Sequence, residues 1–367
     1  MTISDESLRL ARKDVMALPH FGSELPDCAI DLSDNTNLWG APPAALRVLR
    51  ESTSDALSRY PSLYSEPLQA AMQRYVGMEG VAGIGVVSGC GSDDVLDSTM
   101  RAFGTAGDRI AFSSPTFSMI PVLARLNGLE PVAVPLAGRS YDVDAERLVE
   151  VEAKITYLCA PNNPTGTCVS RAAVEYVVTH ARGIVLLDEA YAEFAPEVFC
   201  DLVAQHERLI VARTFSKAFG LAGLRVGYGV GARDVTRLVE RARGPYKVGR
   251  LAERAVLAVL DETPDGLEWV RAHAALAIVN RDRLLDALRQ LGLDALPSGA
   301  NFVLVAHTRA YEIAGLLRAA GVLVRSFGGL PVEIPAFAQS GGDALRIGVG
   351  PWEMMEPLLD RLRSLVP

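Results

Sequence analysis

Lys217 lies in RTFSKAFGLAGLRVGY, Arg213 to Tyr228, just after an apolar run and before a glycine-punctuated stretch. An amine held at a strand end can add to a carbonyl carbon and form a Schiff base. Thr214, Ser216 and Arg225, in the same segment, are donors suited to a phosphate. An isolated lysine is far more often a solvated surface group, but here the neighbourhood reverses those odds. The chain has only four lysines, and the others, Lys13, Lys154 and Lys247, lie in a polar arm, at a strand start and in a loop of mixed charge. None of those three has comparable donors beside it.

Asp188 ends the apolar run of IVLLDEAY, Ile184 to Tyr191. A carboxylate there can pair with a protonated pyridine nitrogen, so that the ring draws electrons from a substrate carbon. Tyr191 and, in CAPNNPTG, Asn163 can each donate to a phenolic oxygen on such a ring. Alone, Asn-Pro-Thr-Gly is only a turn, and Asp188 and Tyr191 read equally well as a helix cap and a core tyrosine. VVSGCGSDDVL, Val86 to Leu96, is a strand, a small-residue turn and a helix start. Its free N–H groups form an anion site in which Gly91, Ser92 and Asp93 would face a phosphate. It is neither a Walker A loop nor GxGxxG, so it points away from a nucleotide. Phe117, in SSPTFSM, can stack on a pyridine face. Amine, carboxylate, phenol partners and phosphate turn together point to pyridoxal 5'-phosphate as cofactor.

These groups need a frame. Apolar runs at Gly85–Ser88, Arg109–Ser113, Pro131–Pro135, Ile155–Cys159, Ile184–Asp188, Leu209–Arg213 and Arg225–Val230 read as strands. Helical patterns at Asp93–Phe103, Thr116–Asn127, Arg171–Ala181 and Asp234–Arg243 separate most of them. Such alternation predicts an α/β fold with a mostly parallel sheet covered on both faces and a ligand at the carboxyl ends of its strands. After Asp265 the pattern becomes a long helix to Gln290, then strand Phe302–Val305, helix Ala310–Ala320, strands Val322–Arg325 and Leu345–Val349, and a closing helix from Trp352. The expected organisation is an N-terminal arm over residues 1–40, a large domain over 41–264 and a small α+β domain over 265–367, with the arm packed on the small domain. A chain of 367 residues, 49% hydrophobic, is long enough for two cores.

The formal charge of −8, without a basic run, offers nucleic acid or an anionic membrane nothing broad to hold. The five cysteines form no CxxC or Cys/His cluster, so no metal site is expected and a reducing cytoplasm fits. MTISDESLRLARKD lacks an apolar core, and no stretch approaches the ~20 apolar residues of a membrane span. Neither export nor anchoring is expected.

In order and spacing, these motifs resemble the fold-type I pyridoxal phosphate-dependent aminotransferases, class I/II, and most closely the histidinol-phosphate aminotransferase family. The resemblance runs from about Asp31 to the C-terminus and is carried by PNNPTG, DEAY and SKAFGLAGLRVGY. It implies a seven-stranded large-domain sheet, Lys217 as the Schiff-base lysine, Asp188 for the pyridine nitrogen, and Asn163 with Tyr191 for the phenolic oxygen. It places Ser92, Asp93, Thr214, Ser216 and Arg225 around the phosphate and puts Phe117 where the family usually stacks a tyrosine. Arg346, in ALRIGVG, matches the arginine that holds an α-carboxylate, and Arg325 matches one that grips a substrate phosphate. Asn37, in the stretch Asn35–Gly40 that stands for the family's NENPxG, is carried over as a substrate contact. Tyr60, in SRYPS, matches a tyrosine that reaches the neighbouring subunit's phosphate, which implies a homodimer with composite sites. The family's asparagine in the phosphate turn is Cys90 here, Ile120 stands for a tyrosine, and SFGGLPVEIPAFAQSGGD lengthens the segment between Arg325 and Arg346.

The implied reaction is transamination between an amino donor, histidinol phosphate first and an aromatic or other amino acid second, and a 2-oxo acid such as 2-oxoglutarate. A decarboxylase of the threonine-phosphate type is an alternative within the same chemistry. A non-catalytic sensing module is the alternative outside it, and the thirty residues before the fold leave no room for the DNA-binding helices such modules carry.

Overall fold

A computed structural model describes residues 10–18, 28–138 and 140–365. Its strands, in chain order, are β1 (Ile30–Asp31), β2 (Ile84–Cys90), β3 (Arg109–Ser114), β4 (Glu130–Pro135), β5 (Ile155–Cys159), β6 (Ile184–Asp188), β7 (Leu209–Thr214), β8 (Val226–Ala232), β9 (Asp294–Ala295), β10 (Phe302–Ala306), β11 (Val322–Leu323), β12 (Arg325–Phe327) and β13 (Ala344–Gly348). Seven of them form one sheet in the order β2-β8-β7-β6-β5-β3-β4. Only β8 runs against its neighbours; the β3–β4, β3–β5, β5–β6 and β6–β7 pairs are parallel.

The continuous apolar strands are explained by burial on both faces. Along β6, Val185 and Leu187 enter one core while Ile184 and Leu186 enter another. Along β7, Leu209 and Val211 alternate in the same way with Ile210 and Ala212. Helices Ser92–Phe103 and Arg233–Arg243 cover one face with Val95, Leu96, Met100 and Val239, and on the other Arg171–His180 packs through Val174, Val177 and Val178. The strand-end groups therefore share one edge: Cys159 of β5 lies level with Asp188 of β6, and Asp188 level with Ala212 of β7.

The 24-residue helix Leu267–Gln290 leads to a second, four-stranded sheet in the order β12-β13-β10-β9. Leu284, Leu288, Val303, Ile313, Ile347 and Leu358 form a core of their own there. No helix among the described residues is long and apolar enough to cross a membrane.

Three expectations change. Val322–Arg325 is not one strand: β11 pairs parallel with β1, whereas β12 pairs with β13, so the chain changes sheets at Val324. The helix expected from Thr116 begins at Met119, because the Thr116 hydroxyl donates to Asn162 Oδ1 at 2.9 Å and draws that turn to the strand ends. The arm contacts both parts of the chain: β1 joins β11, whereas the Arg12 guanidinium donates to the carbonyls of Leu126 and Arg125.

Candidate active site

A cavity of about 190 Å³ opens at the carboxyl ends of β5, β6 and β7. Lys217 lies in it, on the loop that follows β7, with its Nζ donating to the Asp34 carbonyl at 3.0 Å. Burial, reinforced by the positive charge of Arg346 and Arg225, pulls its pKa down to about 8 against the opposing pull of Asp34 and Asp93. About a tenth of the amine is thereby uncharged at pH 7, far more than for an ordinary lysine, and the uncharged form is the nucleophile.

Asp188 faces the same cavity at the end of β6. Burial pushes its carboxyl up to about 6, opposed by donors to both oxygens, the Tyr157 hydroxyl at 2.9 Å and the Ala190 N–H at 3.0 Å. Across the cavity the Tyr191 hydroxyl accepts from Asn35 Nδ2 at 3.1 Å, which leaves its own proton to donate, and burial keeps the phenol protonated. Asn163 accepts at Oδ1 from Arg346 Nη1 at 2.7 Å, so its amide N–H groups remain for a ligand.

The phosphate turn is tight. Gly91 caps helix Ser92–Phe103 at φ +80°, and a Cβ there would meet Arg225 Nη2 at 2.5 Å. A Cβ on Gly227 would meet the Ser92 nitrogen at 2.2 Å, so glycine alone lets β8 pass the turn. Arg225 itself holds φ +52°, a strained conformation for a residue with a side chain. Its carbonyl accepts from the Gly91 N–H, and its guanidinium donates to Ser216 Oγ and to Asp93 Oδ2, each at 3.3 Å. Ser92, Asp93, Thr214 and Ser216 also line the cavity, as does Phe117.

Arg346, on β13, is buried, with Nη2 on the Ser33 carbonyl at 2.6 Å and Nε without a partner. Phe302 and Phe327 lie 5.4 Å from its guanidinium carbon. Arg325 is its direct antiparallel neighbour on β12 but does not line the cavity. Directly opposed residues point to the same sheet face, so two cations stand side by side on one face of the small sheet, Arg346 lining the cavity and Arg325 exposed beside it.

Asn37 falls outside the cavity: its Nδ2 donates to the Ala218 carbonyl at 2.8 Å, fastening the arm to the lysine loop rather than reaching for a ligand. Tyr60 is also outside, 78% exposed and stacked on Tyr246 at 4.9 Å. Asp34, Asn35, Cys159 and Ala190 line the cavity without having been singled out for it in the sequence, and Tyr157 stands behind Asp188. Their signal was position. Tyr157 and Cys159 alternate on one face of β5, the face that carries Asp188 in the neighbouring strand.

The donor set fits pyridoxal phosphate: an amine with a lowered pKa, a carboxylate, a phenol-oxygen pair, an aromatic face, and a glycine-only turn at a helix N-terminus beside Arg225.

Comparison with known proteins agrees. The family model for aminotransferase class I and II matches residues 28–362. Histidinol-phosphate aminotransferase of Roseiflexus castenholzii is 39% identical over 350 residues, covering 92% of this chain and 89% of that protein. Aromatic amino acid aminotransferase of Mycobacteroides abscessus is 34% identical, covering 89% of this chain and 96% of that protein. Among solved structures, histidinol-phosphate aminotransferase from Sinorhizobium meliloti in complex with pyridoxal-5'-phosphate superposes with a TM-score of 0.84 at 25% identity, covering 97% of this chain and 98% of that one.

Proposed function

Because this chain belongs to the class I and II aminotransferases and is a pyridoxal phosphate-dependent enzyme, we propose that its amino donor is histidinol phosphate and its acceptor a 2-oxo acid such as 2-oxoglutarate. The observation that carries this choice is the Arg325–Arg346 pair. Like charges directly opposed across two strands cost stability, and a phosphate dianion offsets that cost more fully than a single carboxylate does. The relatives of that name support the same reading. Arg346 alone would serve the carboxylate of an aromatic amino acid, the reading that the Mycobacteroides abscessus relative favours.

In this account Lys217 would hold the cofactor, and its Nζ, once free, would take the proton from the substrate Cα and give it to the carbon contributed by the cofactor's carbonyl. Pyridoxal phosphate, when bound, supplies a carbonyl carbon that exchanges one amine for another and a ring that accepts the electron pair of the broken Cα–H bond. Asp188 would hold negative charge for the ring nitrogen. Asn163 and Tyr191 would donate to the phenolic oxygen, and Phe117 would supply an aromatic face for the ring. Gly91, Ser92, Asp93, Thr214, Ser216 and Arg225 hold the phosphate, with the Asp93 carboxylate turned to Arg225. Arg346 orients the acceptor's carboxylate, and the same guanidinium with Arg325 takes the donor's phosphate.

The site lies in this reading between a large domain, 41–264, and a small one, 265–367. The exposed Tyr60 serves the partner's site in a homodimer: its carbonyl is held by Arg250 Nη2 at 2.7 Å, and Arg243 fastens the same loop through the Leu63 carbonyl at 3.1 Å. The enzyme works in the cytoplasm, where thiols such as Cys159 and Cys200, free in the structure, stay reduced.

The test is a half-reaction screen in which the cofactor-loaded protein meets a panel of amines without acceptor while the cofactor absorbance is followed. Rapid change with histidinol phosphate and slow change with free amino acids is expected. A response to phenylalanine but not to histidinol phosphate would overturn the choice of donor.

A further inference from the structure

Tyr157 is completely buried in the middle of β5, its ring packed in the core that holds Ile110, Leu186 and Ile210. A hydroxyl in that setting must find a partner or pay for desolvation. The partner is Asp188 Oδ2, at 2.9 Å. With the Ala190 N–H on Oδ1, each carboxylate oxygen is held by one donor, and the plane of the group is fixed.

We propose that Tyr157 is a positioning residue that orients the Asp188 carboxylate and keeps it the anionic partner of the cofactor's ring nitrogen. This rests on the assignment of Asp188 made above. Among the described residues Asp188 makes no ion pair. The titratable groups that act on it are Tyr157 and Cys159 on β5, Asp93 on helix Ser92–Phe103, and Glu189 and Tyr191 beside it. Burial, Asp93 and Glu189 all favour the neutral carboxyl, whereas the Tyr157 hydroxyl favours the anion. Without that hydroxyl the shared proton moves from the ring nitrogen towards Asp188, and the ring attracts electrons less strongly.

The test uses Tyr157→Phe, which removes one oxygen and keeps the ring. In cofactor-free protein labelled with 13C at aspartate carboxyls, the resonance lost in Asp188→Asn identifies Asp188. Its titration midpoint is expected to rise by about one pH unit in Tyr157→Phe. In loaded protein, the 15N resonance of cofactor labelled at the ring nitrogen is expected to move towards the unprotonated position, with kcat down about tenfold and KM little changed. Difluorotyrosine at position 157, a stronger donor, is expected to move the midpoint down, and it supplies the answer should the phenylalanine variant fold poorly.

A Tyr157→Phe enzyme with lower Tm but an unchanged midpoint and 15N resonance would reduce the hydroxyl to a packing role and sink the proposal. If Asp188→Asn left the 15N resonance unmoved, the assignment of Asp188 itself would fall and the proposal with it, while the carboxyl titration would still report whether the two side chains are coupled.

Discussion

Replacing Arg325 by glutamine separates the two candidate donors. Arg325 and Arg346 are directly opposed across β12 and β13, and among the described residues Arg325 has no carboxylate partner. In Arg346, one N–H of Nη1 and one of Nη2 are committed to Asn163 and the Ser33 carbonyl, and the buried Nε has no partner. Arg346 alone brings one positive charge to a phosphate dianion, and Arg325 brings the second. A charge-assisted hydrogen bond contributes about 1.5–3 kcal/mol, so losing the Arg325 contact is expected to lower kcat/KM for histidinol phosphate roughly 10- to 150-fold. An amino acid that presents only a carboxylate is expected to stay within about threefold, since it needs only Arg346. The substrate-free protein is expected to gain a few tenths to about 1 kcal/mol of stability, because opposed like charges are relieved. Steady-state kinetics with both donors at low and physiological salt, beside urea unfolding, measures all three quantities. The wild-type preference for the phosphorylated donor is expected to shrink as salt rises. Equal losses for both donors, or no loss for histidinol phosphate, would refute the reasoning.

Three other outcomes are expected. Capture of pyridoxal phosphate by the cofactor-free protein is expected to accelerate as pH rises through about 8, where the Lys217 amine loses its proton, and then to level off; a rise delayed to the range of an ordinary lysine, near 10.5, would contradict the buried setting. Glu189→Ala leaves the buried Arg213 without the carboxylate that its Nε and Nη2 contact at 2.8 and 2.6 Å, and chemical denaturation is expected to show a loss of about 3–5 kcal/mol. Mixed dimers of Tyr60→Ala and Lys217→Ala are expected to recover activity that neither homodimer has, because one of their two sites is intact; absence of recovery on mixing would speak against Tyr60 reaching a partner's site.

The large sheet was legible because both its faces are buried: runs such as Ile155–Cys159 and Ile184–Asp188 needed no tertiary information to be read as strands, and their ends are where the sequence had placed Asp188 and Lys217. Places where the chain obeys distant partners were not legible. Val324 lies where the chain leaves β1 for β13, a choice between two sheets that no local pattern encodes. Thr116 has a helical sequence but spends its hydroxyl on Asn162, 46 residues away. Asn37 looked like a ligand contact and instead binds the Ala218 carbonyl, while Asn35, two residues earlier, faces the cavity from φ +59°. Tyr157 was hidden for the opposite reason: inside an apolar run its ring is indistinguishable from core, and only the register of β5 against β6 reveals what its hydroxyl does.

The central claim is that Lys217 carries the cofactor, and reduction with borohydride followed by peptide mass mapping tests it most directly. The account predicts that pyridoxal phosphate becomes irreversibly attached to the peptide containing Lys217 and that the attachment disappears in Lys217→Ala. Attachment at Lys13, Lys154 or Lys247, or none at all in protein that still turns over, would contradict it.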